Sequence, residues 1–185
     1  MVERKRSHRD LLGVAGRLQR EVNSVGMGPP PPDVSGFQRT WLDQFDEIVT
    51  FEPLRAASRS LFANAYYARA VEEAFKCLNN AVKKRSGLPR LDGDALMRRA
   101  FSADNPVMKL NSLRSTSDKD EQRGYMDLYA GGMTGIRNPR AHEHRLEDTP
   151  ESALEMLTIA NHLMRKLESS RRSRIQKSRA STRRR

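Results

Sequence analysis

An all-α helical bundle is the fold this sequence predicts, and three observations carry that prediction. Apolar residues recur at helical spacing over several long stretches. No stretch alternates apolar and polar residues with period two, which excludes a substantial sheet. Capping residues, prolines and glycines stand where those stretches begin and end. The 185 residues suffice for one domain with tails and for a core burying roughly two-thirds of the unfolded surface.

Leu11, Ala15, Leu18 and Val22 predict a short amphipathic helix within residues 1–26. A helix this short is marginal alone and needs a partner surface. Residues 27–36 follow as a linker, because Pro29–Pro32 favours an extended polyproline conformation and forbids helix. The globular region is expected over 37–169. It opens with Trp41, Phe45 and Ile48 on one helical face. A long helix is expected over about Pro53–Arg85, where Leu61, Ala65, Ala68, Val71, Phe75, Leu78 and Val82 form the clearest helical stripe in the chain. A second line, Phe62–Tyr66–Ala70–Ala74, widens the buried face and makes this a central helix, with Tyr66 expected inside. Ser86, Gly87 and Pro89 stop it. Asp92 or Gly93 opens a shorter helix with Leu96, Met97, Ala100 and Phe101 on its apolar side. Asn105-Pro106 marks a turn. After a polar stretch a helix carrying Tyr125, Leu128 and Tyr129 runs to about Met133. Thr149, Pro150 and Glu151 start the last helix, which ends near Ser169.

The net charge of +11 belongs to the chain ends. Residues 171–185 hold eight Lys/Arg and no acid, and residues 11–170 hold 22 basic against 21 acidic residues. The segment 170–185 is therefore expected to be a disordered basic tail. Arg171, Arg172, Arg174, Lys177 and Arg179 are its candidate contacts to nucleic-acid phosphates, salt-dependent and without sequence readout. The lone Cys77 allows no internal disulfide and reads as a core residue. No run approaches the ~20 apolar residues of a membrane span, and Met1–Asp10 lacks the apolar core of a signal peptide. A reducing cytoplasm is the expected location.

The string Gly131-Gly132-Met133-Thr134-Gly135-Ile136-Arg137-Asn138-Pro139-Arg140-Ala141-His142 is the candidate for chemistry. Three glycines in five residues are costly in a helix and allow close backbone packing. Two local readings are open. Asn138-Pro139 can cap and start a new helix, whose free N–H groups would hold an anion beside Arg137 and His142. If the helix instead runs through, five residues at about 100° each place Arg137 and His142 about 140° apart, and a bend or a second protomer must bring them to one substrate. The bland alternative pairs Arg137 with Glu143 or Asp148. Metal is not expected: His142 and His144 are two apart and no H-E-x-x-H spacing occurs. No cofactor is expected, and no phosphate-binding G-x-x-x-x-G-K is present. Tyr66 and Tyr67 can stack on bases, although the apolar line places Tyr66 in the core.

The Arg137-Asn138-Pro139-Arg140-Ala141-His142 string resembles the R-N-x-x-x-H signature of the HEPN superfamily of helical domains. The order of Leu61-Phe62, Tyr66, Ala70–Lys76, Asp92-Gly93, Leu96-Met97, Ala100–Ser102, Asn105-Pro106, Asp120–Gln122 and Gly124 ahead of it is similar to the Ymh-type family of prophage- and plasmid-associated proteins. The resemblance spans about residues 50–168 and implies a HEPN-like antiparallel bundle. It further implies a metal-independent endoribonuclease in phage defence or a mobile element, acting as a homodimer and leaving 2′,3′-cyclic phosphate ends. Arg137, His142 and Asn138 would be the catalytic residues, Arg140 would join the tail in binding RNA, and a protein partner could neutralise the activity. Inactive relatives that bind nucleotides or proteins supply one alternative, and a nucleic-acid-binding protein whose basic tail does the work is the other. An imidazole, with an ordinary pKa near 6.5, suits proton transfer at neutral pH.

Overall fold

The computed structural model describes residues 40–143 and 146–173. The N-terminal helix, the proline linker, His144, Arg174, Lys177 and Arg179 lie outside the described residues. Within them the fold is all-α.

Helix α1 (Trp41–Ile48) starts at Thr40, whose hydroxyl accepts from the Asp43 amide while the Asp43 carboxylate accepts from the Thr40 amide. This reciprocal pair satisfies donors that a helix start leaves open. Helices α2 (Glu52–Ala63) and α3 (Tyr67–Ser86) replace the single long helix expected over 53–85. The break falls at Asn64–Tyr66. Asn64 takes the C-cap and its side-chain amide donates to the Ser60 carbonyl at 2.7 Å. Ala65 then turns the chain through the left-handed region at φ 60°, and α2 and α3 pack against each other.

Helix α3 is central and touches α2, helix α4 (Gly93–Phe101) and helix α7 (Pro150–Ser169). Its Ala70, Val71, Ala74, Phe75, Leu78 and Val82 are fully buried. It ends at left-handed Gly87, and Asp92 caps α4. A continuous helical rod follows: α5 (Thr116–Gly131), a π-helical turn (Gly132–Arg137) and α6 (Asn138–His142). It extends well past the expected end at Met133. Thr149, Pro150 and Glu151 start α7 as the sequence predicts.

Two buried amides hold the irregular segments. Gln122 on α5, fully buried, accepts from the Leu110 amide and donates to the Phe101 and Met108 carbonyls, all at 2.9 Å. Asn161 on α7 accepts from the Phe51 amide and donates to the Ile48 carbonyl, both at 3.0 Å. Each closes backbone groups that a loop cannot satisfy itself. Between them lies the aromatic centre, where Phe101 and Tyr129 stack at 4.2 Å. The Tyr129 hydroxyl donates to the Leu163 carbonyl at 2.6 Å, and burial pushes its phenol well above the usual range.

The chain past α7 is not free at once. Strand β2 (Arg171–Arg172) pairs antiparallel with β1 (Met108–Lys109), and the Ser173 amide donates to the Val107 carbonyl at 2.8 Å. The tail expected to be disordered from residue 170 is thus docked through 173. Composition predicted disorder because it counts apolar residues, and this docking uses backbone hydrogen bonds instead. No helix is long and apolar enough to cross a membrane among the described residues.

The rod packs on α3 through Gly132, where a Cβ would stand 2.8 Å from Cε1 of the fully buried Phe75 ring. Gly131 and Gly135 face open space. Gly132→Ala should therefore destabilise by about 1–3 kcal/mol through overpacking. Gly135→Ala should stabilise by about 0.5–1 kcal/mol through lower unfolded-state entropy. Opposite shifts of Tm in thermal denaturation check the contrast.

Candidate functional site

Pro139 shapes the site. A proline inside a helix has no N–H to give, and its ring crowds the carbonyl four residues back, here Gly135. The rod accommodates this with a wider turn just before it, so that the Asn138 amide bonds to the Met133 carbonyl five residues back. Such π turns inside α-helices are rare and often mark functional sites. Thr134 supports the turn by donating its hydroxyl to the Ala130 carbonyl at 3.1 Å.

The helix runs through the motif. Asn138 has right-handed helical dihedrals (φ −63°, ψ −43°) and its amide is bonded within the rod. It is therefore not a cap, and no free helix start stands beside Arg137 to hold an anion. Arg137 and His142 project from one helix about 140° apart, as five intervening steps dictate.

The two motif arginines differ in their surroundings. Arg140 donates from Nε and Nη2 to both Asp148 oxygens at 2.7 and 2.6 Å, and from Nη1 to the Ile136 carbonyl at 2.8 Å. Its side chain and that of Asp148 are 8% and 7% exposed. Arg140, expected from the sequence to be among the RNA contacts, lies in this pair, and the pair ties α6 to the loop before α7. Arg137 makes no carboxylate pair among the described residues, and its guanidinium donates to the Asn138 side-chain oxygen at 3.1 Å. The bland pairing of Arg137 with Asp148 is thus overturned, because Arg140 holds both oxygens. His142, at the end of α6, is exposed, and its imidazole has no hydrogen bond to another described residue.

A cleft of about 550 Å³ adjoins this end of the molecule, lined by Ala65–Arg69 and Leu146–Asp148. Tyr66, expected in the core, stands in its wall 65% exposed. The α2–α3 break shifts the register of the apolar line, so Phe62, Ala70 and Ala74 stay buried while Tyr66 turns out. Asn64 was the sequence signal for that break, since asparagine is a frequent helix terminator.

Below the cleft, Glu72 is 3% exposed. Lys76 and Arg69 reach its carboxylate at 2.7 and 2.5 Å. Burial raises its pKa, but the hydrogen bonds from Lys76 and Arg69 outweigh burial and hold it below the ordinary range. At the other end of α3, roughly 30 Å away for a 20-residue helix, the Arg172 guanidinium sits over Gly87, with Nη2 2.5 Å from where a Cβ would stand. Arg171 and Arg172 are exposed there, far from the motif along the bundle. Cys77 is half-buried, and burial pushes its thiol up, which suits packing rather than nucleophilic attack. No group of three or more metal-ligating side chains occurs among the described residues.

These features define an all-α bundle whose longest rod carries an arginine–histidine motif at an exposed end. The chain belongs to the Ymh family, described as a protein of unknown function (Hypoth_ymh), whose model matches residues 52–167. No curated protein and no solved structure matches it.

Breaking the buried pair with Asp148→Asn should cost about 3 kcal/mol, since it leaves the Arg140 charge uncompensated; chemical denaturation reads this directly. Glu72→Gln should destabilise at pH 7 by about 1 kcal/mol, a modest figure because its partners are partly exposed. The folded carboxylate titrates below its ordinary 4.5. The contribution is therefore present above that value and lost as pH falls through the lower folded value. The Tm difference between wild type and variant should shrink accordingly in acid.

Proposed function

We propose that this protein is a HEPN-type, metal-independent endoribonuclease that works as a homodimer. One observation carries the reading. Of the two motif arginines only Arg140 is neutralised, while Arg137 has no carboxylate partner among the described residues and His142 is exposed on the same short helix. A guanidinium without a carboxylate is suited to a phosphate, and an exposed imidazole to a proton.

The angular separation of the two side chains supports the second copy. One chain does not aim both at a single phosphate, so in this reading a second copy supplies the group that the first cannot. Gly124 and Gly131 face open space on the rod, with Leu128 54% exposed between them in the sequence. Helical glycines carry a stability cost with no packing return inside one chain, and this face suits a close approach of another.

The chemistry follows from the side chains. An RNA 2′-hydroxyl gives its proton to one His142, and its oxygen attacks the adjacent phosphorus. The bond from phosphorus to the 5′-oxygen breaks as the other His142 protonates that oxygen. A 2′,3′-cyclic phosphate and a 5′-hydroxyl result. Arg137 stabilises the charge building on the phosphoryl oxygens, with Asn138 fixing its guanidinium. Phage defence or a mobile element is the setting we infer. The same geometry in a lone chain favours the second reading, a non-catalytic module that binds a nucleotide or a toxin-like protein.

Purified protein should cleave single-stranded RNA in the presence of chelator. Arg137→Ala and His142→Ala should each slow cleavage at least about 100-fold. Two imidazoles in opposite protonation states predict a bell-shaped pH–rate profile. Cleavage that survives both substitutions removes these residues from the mechanism, and tight nucleotide or protein binding without turnover favours the second reading.

A further inference from the structure

The cleft beside the motif has a composition that separates it from a phosphate site. Its cation, Arg69, is shared between Glu72 at 2.5 Å and Glu73 at 3.1 Å. Its carboxylates are Asp148, whose two oxygens are held by Arg140, and Glu147, which is exposed and has no partner among the described residues. Acceptor capacity is thus in surplus at this wall, and a phosphate entering it would meet the Glu147 charge with no unshared cation opposite. A neutral group with N–H donors fits the balance better.

The rest of the lining specifies what kind of neutral group. Tyr66 offers an aromatic face that the α2–α3 turn holds out of the core, 65% exposed, with its backbone amide fixed on the Leu61 carbonyl at 2.9 Å. Ala65 and Ala68 flank it closely in the chain, and Tyr67, Arg69 and Leu146 complete the lining. About 550 Å³ lies within the range of small-ligand sites. An exposed tyrosine and a carboxylate with no partner among the described residues, in the walls of one cleft, are elements that hold an unstacked base, by its face and by its Watson–Crick edge.

We infer that this cleft binds a nucleobase of the RNA strand near the cleaved phosphate, stacked on Tyr66 and read by Glu147, and that the base is guanine. The inference rests on the ribonuclease reading, since it deepens the substrate class of that site. The link between the two is direct in the chain. The loop that supplies Glu147 leaves α6 at His142, and it is anchored back to α6 by the Asp148–Arg140 pair. Guanine is singled out because its Watson–Crick edge presents an imino and an amino donor side by side, which one carboxylate accepts together. Uracil presents a single imino donor and cytosine and adenine a single amino group.

The test uses fluorescein-labelled 2′-O-methyl heptaribonucleotides, which lack the attacking hydroxyl, so binding is read without cleavage. With the full chain, a heptamer containing guanine should bind about tenfold or more tightly than an all-uridine one. Tyr66→Ala should weaken guanine-heptamer binding at least about fivefold, the lower end for loss of one base–aromatic stack, and Tyr66→Phe should restore it. Glu147→Gln should erase the guanine preference while leaving all-uridine binding unchanged. Both side chains are exposed, so these variants keep their fold, and thermal melting verifies it. Wild-type affinity and base preference in Tyr66→Ala and Glu147→Gln, or no binding of any heptamer, overturns the inference. The nuclease reading is scored separately, by cleavage of unmodified RNA with wild type and His142→Ala. Guanine-dependent binding without cleavage keeps the cleft and discards the nuclease. Cleavage with binding indifferent to Tyr66 does the reverse.

Discussion

A proline in the middle of a helix is the constraint from which the motif-bearing end of this molecule follows. Pro139 withholds a hydrogen bond and crowds the turn before it. The chain answers with a π turn rather than a break, so the helix that begins at Thr116 continues to His142. Continuity has two consequences. Asn138 is spent inside the rod instead of capping a new one, and Arg137 and His142 are fixed on a single rigid axis at divergent angles.

Rigidity at that end comes from side chains that do no chemistry. Gly132 lets the π turn rest on the Phe75 ring. The Arg140–Asp148 pair then fastens the last helical turn to the loop leading into α7. That pair is nearly buried, and burying charge is favourable only with such bidentate geometry and further hydrogen bonds, here to the Ile136 carbonyl. Structural charge and candidate chemical charge are thus sorted within four residues.

Charge is sorted on the larger scale too. The body of the chain is nearly neutral and the excess of cations belongs to its ends. The described start of the C-terminal tail is pinned at the Gly87 end of α3 by β1–β2 pairing and by Ser173. The cleft and motif lie by the opposite end of that helix.

The sequence by itself determined the all-α class, the central position of the Val71–Val82 stripe and the starts at Asp92 and Thr149. These depend on local spacing and on caps acting within one or two turns. The order of motifs sufficed to expect the Ymh family. It did not determine the break at Asn64–Tyr66, because the apolar spacing runs across it unbroken and only packing of α2 back onto α3 makes left-handed Ala65 worthwhile. Tyr66 was consequently misplaced into the core. Nor could it decide between a cap and a continuous helix at Asn138-Pro139, since both use the same residues with the same local propensities. Contact of Gly132 with Phe75, 57 positions away in the chain, and capture of Arg140 by Asp148 settle that choice. The first contact forms only when distant segments pack and the second only when the loop before α7 folds back on α6, so tertiary structure alone could assign Arg140 to the scaffold.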